Sequence, residues 1–269
     1  MTDRIISIAS QKGGVGKSTT ALNLGFSLSS MGYSVLLLDG DPQGGLSLGT
    51  NIRDKQMKGF LDIISGQAQP QECIVKARNG KLSSCSSGKY SLQSVRKFDS
   101  TRGQVQAGEI VKKMSEGYDY TLLDCPAGIG PVVRALVSIS DSVLVPLNMR
   151  NTSVRSLPVF LEFLKDIKGR KKNPGLEGIL VTMLDYASRT ELEIFKSVKE
   201  QFNPKWLFST VIKHDYLYED ISINAIPAGM SSKAVKASRN YFELALELRE
   251  REIVSKSGEN EDEEVQGLF

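Results

Sequence analysis

The chain has 269 residues, of which 40% are hydrophobic and 24% are charged, and its formal net charge is +3. This size and composition predict one large domain with a well-buried core, and no apolar run approaches the roughly 20 residues that a membrane-spanning helix needs. A single histidine and three widely spaced cysteines exclude the usual histidine-dependent hydrolase triads and give no sign of a zinc site or a disulfide framework.

The two ends of the chain carry different signals. The first ten residues, MTDRIISIAS, lead directly into a strand pattern and show no signal peptide, so we expect a cytoplasmic protein. Residues 259–264, ENEDEE, hold five acids and no base, which leaves the rest of the chain at +8. This surplus is compatible with a polyanionic partner, although scattered surface lysines are the simpler interpretation. We expect one domain over residues 1–254 and a disordered acidic tail over 255–269.

Short apolar runs alternate with amphipathic stretches along the chain. The predicted strands lie in RIISIAS, YSVLLLD, YDYTLLDCP, DSVLVPL, LEGILVTML and WLFSTVI, and the predicted helices span residues 18–30, 153–167, 190–202 and 231–251. Strands rich in Val, Ile and Leu with little alternation are buried on both faces, as in a parallel sheet covered by helices. The pattern therefore predicts an α/β fold with a doubly wound, mostly parallel sheet and helices on both faces. Residues 75–105, with seven bases and one acid, are expected to form loops or short edge strands.

The stretch SQKGGVGKST, residues 10–19, follows the first predicted strand and opens the first helix. In that context backbone N–H groups and the helix N-terminus can surround a phosphate, and small residues allow the close approach. Lys17 would reach the terminal phosphates and the Ser18 hydroxyl would bind magnesium. A purely structural glycine turn is the alternative. The predicted nucleotide contacts are Gly13, Gly14, Val15, Gly16, Lys17, Ser18, Thr19, Ile212 and Lys213.

Two acids lie at the ends of predicted strands. Asp124 can hold magnesium through its water shell, because a buried charge without a cation would be costly. Asp39 is placed to order that water shell and the phosphate loop. The predicted magnesium residues are therefore Ser18, Asp39 and Asp124. Since Asp-Pro-Gln-Gly is also a good turn sequence, a structural role stays open for Asp39 and Asp41.

Three motifs together resemble the deviant Walker A ATPases of the ParA/MinD family. KGGVGKST (residues 12–19) carries a second lysine, VLLLDGDPQGGLS resembles the family's second motif, and YDYTLLDCPAGIG resembles its Walker B strand. The likeness covers most of residues 4–250. It implies a P-loop fold and slow ATP hydrolysis with magnesium, stimulated by a partner protein. An iron–sulfur relative of the same fold is disfavoured, because Cys125 stands alone beside the Walker B acid.

The resemblance also implies roles for individual residues. Lys12 is similar in position to a lysine that crosses a dimer interface and contacts the partner subunit's ATP, which makes dimerisation depend on the nucleotide. Asp41 is implied to position the water that attacks the γ-phosphate, a step that depends on in-line placement. The predicted catalytic residues are thus Lys12, Lys17 and Asp41. Gly45 departs from the Asn that the family often has after DPQG.

The motifs combine two branches of the family. DPQGG resembles ParA proteins, which bind DNA without sequence preference, whereas PAGI and NTSVRS resemble MinD-like proteins, which bind membranes. MinD-like proteins finish with a basic amphipathic helix, but this chain finishes ENEDEEVQGLF, whose acids an anionic bilayer repels. DNA binding is therefore favoured, and a membrane-cycling regulator of division or polar placement is the alternative.

Basic residues provide a candidate DNA surface. Arg189 is expected at the start of a helix that Thr190 and Glu193 cap, and Lys213 follows the last predicted strand. Three more cations lie three residues apart on one side of the closing helix: Lys233, Lys236 and Arg239. These positions resemble those through which ParA dimers hold DNA phosphates, and an ordinary solvated helix face is the alternative.

The predicted function is that of a ParA-like partitioning ATPase associated with the nucleoid. Its ATP-bound homodimer would hold DNA, and a ParB-like activator or cargo adaptor would stimulate hydrolysis and release. The cycle would position a plasmid, a chromosome region or a protein assembly.

Overall fold

The computed structural model describes residues 3–48, 58–77, 80–88, 96–169, 174–218, 227–231 and 235–256. Within these residues seven strands form one sheet in the order β3-β4-β2-β5-β1-β6-β7, and only the β3–β4 pair is antiparallel. The strands are β1 (Arg4–Ile8), β2 (Val35–Asp39), β3 (Ile74–Lys76), β4 (Leu82–Cys85), β5 (Tyr120–Asp124), β6 (Ser142–Asn148) and β7 (Gly175–Thr182).

The helices connect the strands and cover the sheet. Those of more than one turn are α1 (Lys17–Ser30), α3 (Phe60–Ser65), α5 (Thr101–Ser115), α6 (Pro131–Ile139), α8 (Leu157–Lys168), α9 (Arg189–Gln201) and α10 (Val235–Lys256). Single turns are α2 (Gly45–Leu48), α4 (Pro70–Cys73) and α7 (Asn151–Val154). Short 3-10 turns occur at Lys97–Asp99, Pro204–Trp206 and Ala228–Met230. No helix in the described part of the chain is long and apolar enough to cross a membrane.

Strand residues alternate between two hydrophobic cores, one on each face of the sheet. Along β2, Leu36 and Leu38 join the core covered by α5, α6 and α8, whereas Val35 and Leu37 join the core covered by α1 and α10. All four side chains are fully buried. Because both faces are covered, the strands need no polar side, which is why their sequences are almost continuously apolar. The predicted doubly wound α/β fold with helices on both faces is confirmed.

An ion network fixes the end of α10 to the amino-terminal edge of the sheet. The Arg4 guanidinium lies 2.5 Å from Glu177 Oε2 and 2.5 Å from Glu252 Oε1, and the Tyr120 hydroxyl donates to Glu252 Oε2 at 2.8 Å. Arg249 also pairs with Glu252. A cavity of about 620 Å³ lies at the same edge, lined in part by Ile5 and Asp141. It is therefore remote from the strand ends that carry the motifs.

The last predicted strand, WLFSTVI, is wrong. This segment, residues 206–212, makes only one isolated bridge, Leu207 with Ile179, and a second bridge joins Lys213, the next residue, to Leu184. Between them, the amides of Ser209 and Thr210 donate to the two carboxylate oxygens of Glu247 on α10, at 2.7 and 2.8 Å. The Glu247 carboxylate thus accepts hydrogen bonds from the backbone N–H groups that a continuous strand would use to pair with β7.

The described parts of the basic segment 75–105, residues 75–77, 80–88 and 96–105, contain more regular structure than predicted. The edge strand β3 fits the prediction of short edge strands, but β4 lies between β2 and β3 with all its residues buried. The segment then enters α5, which the sequence did not indicate, and the Ser100 hydroxyl caps that helix by accepting from Gly103 N at 3.1 Å. At the other end of the chain α10 continues through Lys256, five residues past the predicted end of the closing helix at 251 and two residues past the predicted domain boundary at 254. Residues 257–269 lie outside the described residues.

Candidate functional site

The predicted site residues meet at the carboxyl ends of three adjacent parallel strands, β2, β5 and β1. In the strand register Asp124 is the partner of Asp39 on one side and of Ile8 on the other. The glycine-rich loop begins just after Ile8, so the loop and both acids share one edge of the sheet. Ligands of open α/β sheets bind at this edge, outside the carboxyl ends of the strands.

The loop after β1 presents a helix N-terminus. Gly16 has φ = +86°, a left-handed conformation that favours glycine, and it turns the chain into α1. No described side chain caps α1. Its first N–H groups therefore have no intrahelical partner and are available to an anion.

The two lysines of the loop differ in exposure. Lys17 is buried at 7% exposure, and its ammonium donates to the carbonyl oxygen of Lys12 at 3.3 Å. The Lys12 side chain is exposed. One lysine is therefore buried and bonded to the loop that the chain itself forms, and the other is exposed to solvent.

The acidic pair has the chemistry of a divalent-cation site. Asp124 is fully buried, and neither carboxylate oxygen has a hydrogen-bond partner among the described residues. Burial raises the pKa of Asp124 well above its usual range, and neighbouring Asp39 adds to this, while Ser18 and Lys17 oppose it. A buried carboxylate at this position is explained by a bound cation, because an unpaired charge in an apolar core would be costly.

The donor set suits magnesium. The described residues hold no cluster of three His, Cys, Asp or Glu side chains that could bind a metal alone. Magnesium usually keeps several waters and uses one or two carboxylates together with substrate phosphates.

Cys125, next to Asp124, is fully buried, and burial raises the pKa of its thiol to about 12. It therefore stays a neutral thiol at ordinary pH.

Asp41 closes a tight turn. Its Oδ1 accepts from Gln43 N at 2.9 Å, its carbonyl oxygen accepts from Gly44 N at 2.8 Å, and its own N–H donates to Asp39 Oδ1 at 3.1 Å. The turn that the Asp-Pro-Gln-Gly sequence indicates is therefore present, and Asp41 takes part in it. The role of Asp41 in positioning the attacking water stays a prediction.

Gly45 packs directly against Ser18. A Cβ added at Gly45 would lie 2.7 Å from Ser18 Oγ, closer than real side chains approach. An Asn at this position would displace the hydroxyl or the turn. The glycine that departs from the family pattern thus lets the turn pack directly against Ser18.

The end of β7 also belongs to the site, although no motif marked it. The Thr182 hydroxyl donates to the carbonyl oxygen of Val15 at 2.9 Å. The available signal was positional, because Thr182 ends a buried strand as Asp39 and Asp124 do. The predicted contact Ile212 is buried, and its backbone bonds to Val181 and Leu184.

The N-cap of helix α9 lies two residues earlier than predicted, and the helix begins at Arg189. Ser188, and not Thr190, caps the helix by accepting from Glu191 N at 3.3 Å. Both pairs match the same Ser/Thr-x-x-Glu pattern, and the chain uses the first of them. Arg189 is thus the first helical residue, 93% exposed, and its guanidinium pairs with Glu193 at 2.9 Å.

The other predicted cations are also exposed. The Lys213 ammonium lies 5.4 Å from the centre of the Tyr186 ring, and Arg239 pairs with Glu243 at 2.9 Å. Exposed ion pairs of this kind are worth about 0–1 kcal/mol, so they leave a guanidinium able to contact a phosphate. Lys236 is exposed, and Lys233 lies outside the described residues.

These cations lie around the same edge of the sheet as the loop. The bridge between Leu184 and Lys213 brings Lys213 close to the end of β7. Leu184 itself lies five residues before Arg189 in the sequence. The start of α10 lies beside the start of α1, because Thr20 and Tyr241 share a hydrogen bond of 3.4 Å. The structure therefore places Lys213, Arg189, Lys236 and Arg239 near the end of the sheet that carries the phosphate loop.

Comparison with known proteins gives consistent relatives. An AAA domain family model matches residues 3–177. The chromosome partitioning protein ParA of Caulobacter vibrioides is 30% identical over 259 residues, 93% of this chain and 95% of that protein. The sporulation initiation inhibitor protein Soj of Bacillus subtilis is 28% identical over 249 residues, 91% of this chain and 98% of that protein.

A solved structure gives the same fold. The septum site-determining protein MinD of Pyrococcus horikoshii, complexed with Mg-ADP, has a TM-score of 0.71 and 22% identity, covering 96% of this chain and 99% of that one.

Proposed function

The chain belongs to the ParA and MinD family of P-loop ATPases. From this membership we propose that the protein forms an ATP-bound dimer and that this dimer binds DNA without sequence preference. Hydrolysis, stimulated by a ParB-like activator or cargo adaptor, releases the dimer and so positions a plasmid, a chromosome region or a protein assembly on the nucleoid. The observation that carries the proposal is the opposite exposure of the two lysines on one phosphate loop.

The loop and the acidic pair bind ATP with magnesium in this proposal. The loop amides and Lys17 hold the phosphates, and the Ser18 hydroxyl and the Asp124 carboxylate hold the ion, directly or through water. Bound magnesium neutralises charge on the phosphates. Asp39 fixes the loop that carries Asp41, since it accepts from Asp41 N at 3.1 Å. The Mg-ADP complex of MinD supports this assignment.

Lys12 makes dimerisation depend on ATP. It is an exposed residue at the start of the phosphate loop. When two subunits face each other with ATP between them, each Lys12 adds a positive charge to the partner's phosphates. Without the phosphates, two facing sets of lysines repel each other.

Asp41 positions the attacking water. One of its carboxylate oxygens, Oδ1, holds the turn through Gln43 N. We assign the second oxygen to the water that attacks the γ-phosphate. In phosphoryl transfer such positioning, together with charge neutralisation, matters more than strong base catalysis.

The exposed cations bind DNA phosphates. Phosphates carry no base information, so such contacts give affinity without sequence preference. The dimer doubles the basic surface, which makes DNA binding depend on ATP. The Caulobacter relative is by name a chromosome partitioning protein, which supports a DNA substrate.

A gel-shift series tests the proposal. The wild-type protein is titrated onto two duplexes of unrelated sequence with ATP, with ADP and without nucleotide, always with magnesium. We expect similar binding to both duplexes with ATP and little binding otherwise. Binding that ignores the nucleotide, or no binding at all, would contradict the DNA proposal. Sedimentation with anionic liposomes under the same conditions tests the membrane-cycling alternative.

A further inference from the structure

We propose that Thr182 is a positioning residue for the phosphate loop, which it holds in its nucleotide-binding conformation from a neighbouring strand. The proposal rests on the proposed nucleotide binding by that loop. Thr182 lies outside the glycine-rich motif and outside both acidic motifs. It contacts the loop across 167 positions of sequence.

The contact is buried and direct. Thr182 is 1% exposed and Val15 is fully buried, and Thr182 Oγ1 donates to the Val15 carbonyl oxygen at 2.9 Å. In the sheet β7 is separated from β1 by β6. The loop that leaves β1 therefore passes over β6 and is fixed at its middle by β7.

The bond sets the direction of one peptide group. In a trans peptide the C=O of one residue and the N–H of the next point in opposite directions. Because Thr182 holds the Val15 carbonyl towards the sheet, the Gly16 N–H points away from it, to the side where an anion binds. A flipped peptide would instead direct a carbonyl oxygen at the phosphates.

Met183 supports the same peptide from the side. Its φ of +55° is unusual for a residue with a side chain. The residue after it, Leu184, is held on the segment around Lys213 by two backbone hydrogen bonds, Leu184 N to Ile212 O at 3.2 Å and His214 N to Leu184 O at 3.0 Å. The Met183 methyl group then lies 3.4 Å from where a Cβ of Gly16 would be.

A second buried threonine provides a matched control. Thr121 on β5 is 1% exposed, and its hydroxyl has no hydrogen-bond partner among the described residues. Thr→Val replaces a hydroxyl by a methyl group at both positions. Only at position 182 does the change remove a contact to the loop.

The test compares Thr182→Val, Thr182→Ser and Thr121→Val. Calorimetric titration with MgATP gives the Kd, and steady-state hydrolysis gives KM and kcat. Without the bond, a part of the protein molecules would hold the loop in conformations that cannot bind ATP, and the apparent affinity falls in proportion to the competent fraction that is lost. Thr182→Val should therefore raise the Kd and the KM for MgATP roughly 5- to 30-fold. The kcat at saturating ATP should stay within about twofold, because bound phosphates order the loop. Thr182→Ser and Thr121→Val should match the wild type.

Several outcomes would overturn the proposal. These are a wild-type Kd in folded Thr182→Val, an equal loss in Thr121→Val, and a fall in kcat without a change in KM. If Thr182→Val does not fold, Thr182→Ala decides by the same criteria, since it removes the hydroxyl without adding a methyl group against the carbonyl. Failure of the wild-type protein to bind MgATP would instead contradict the proposed function.

Discussion

Asp39 and Asp124 are direct partners on neighbouring parallel strands, and both are fully buried at the end of the sheet where the phosphate loop begins. Two buried carboxylates side by side are unfavourable in a protein without a bound cation. The fold holds them there through the strand register and not through any attraction between them. The site therefore costs stability until a cation neutralises it, and this cost can be measured.

Replacing Asp124 by Asn should stabilise the nucleotide-free protein and abolish ATP hydrolysis. The pKa of Asp124 is raised in the folded chain, so its penalty is absent below the unfolded pKa of about 4 and grows as the pH rises through the folded pKa. At neutral pH we expect a gain of about 1 kcal/mol or more, or about 2–4 °C in Tm per kcal/mol. Calorimetric melting at pH 4 and pH 7 checks this, and an equal gain at both would contradict it.

Replacing Asp41 by Ala should trap the ATP-bound dimer. The contacts to phosphate and magnesium survive, whereas the attacking water loses its guide. We expect turnover to fall at least about tenfold, while the dimer persists in ATP on size-exclusion chromatography. A variant that hydrolyses ATP at the normal rate would show that Asp41 serves only the turn with Gln43.

Reversing two charges on α10 should abolish DNA binding and spare the basal ATPase. The variant is Lys236→Glu with Arg239→Glu, and neither residue lies in the phosphate motifs. The matched control is Lys112→Glu with Lys113→Glu, which makes the same charge change on exposed residues near the opposite edge of the sheet. Gel shifts in ATP should show a loss of at least about tenfold for the first pair only. Equal losses would indicate a general charge effect.

The salt dependence gives a second measure of the same surface. Counterion release predicts a log–log slope of about −0.9 per phosphate contact on duplex DNA. Each cation that contacts a phosphate should make the slope shallower when it is removed. Single changes of Arg189 and Lys213 to Ala test this, and an unchanged slope for both would remove them from the DNA surface.

Replacing Glu252 by Ala should destabilise the fold without changing ATP affinity. The change leaves Arg4 and Arg249 without a carboxylate that is only 2% exposed, and breaking such a buried pair costs about 3–5 kcal/mol. Chemical denaturation should show the loss, while the Kd for MgATP in the folded variant stays at the wild-type value. A changed Kd would mean that this edge of the sheet is coupled to the phosphate loop.

The residues of the phosphate loop and both acids could be predicted because the loop follows a buried strand and each acid ends one. Parallel strands bring their carboxyl ends together, so Lys17, Asp39 and Asp124 had to meet once the strands were recognised. The contact of Thr182 with Val15 could not be predicted in this way. It depends on the order of strands in the sheet, which the sequence did not reveal.

Each error has a specific structural cause. The strand β4 has the sequence LSSC, and two serines in four residues do not indicate a buried strand. The sequence of α5 combines two glycines with many polar residues, which hides its helical pattern. The last predicted strand failed because Glu247, 37 and 38 residues further along, takes the amides of Thr210 and Ser209.

The central claim is that Lys12 couples ATP to dimerisation and dimerisation to DNA. It predicts that Lys12→Ala retains measurable ATP binding, because Lys17 and the loop amides remain, but neither dimerises nor binds DNA. Lys113→Ala, the loss of an exposed lysine outside the site, is the control.

The decisive measurement is analytical ultracentrifugation of Lys12→Ala and wild type with MgATP, with and without a short labelled duplex. The wild-type protein and the Lys113→Ala control should sediment as dimers that carry the duplex. Lys12→Ala should remain a monomer and leave the duplex free at ATP concentrations that saturate it. A Lys12→Ala dimer that carries the duplex as the wild type does would contradict the account.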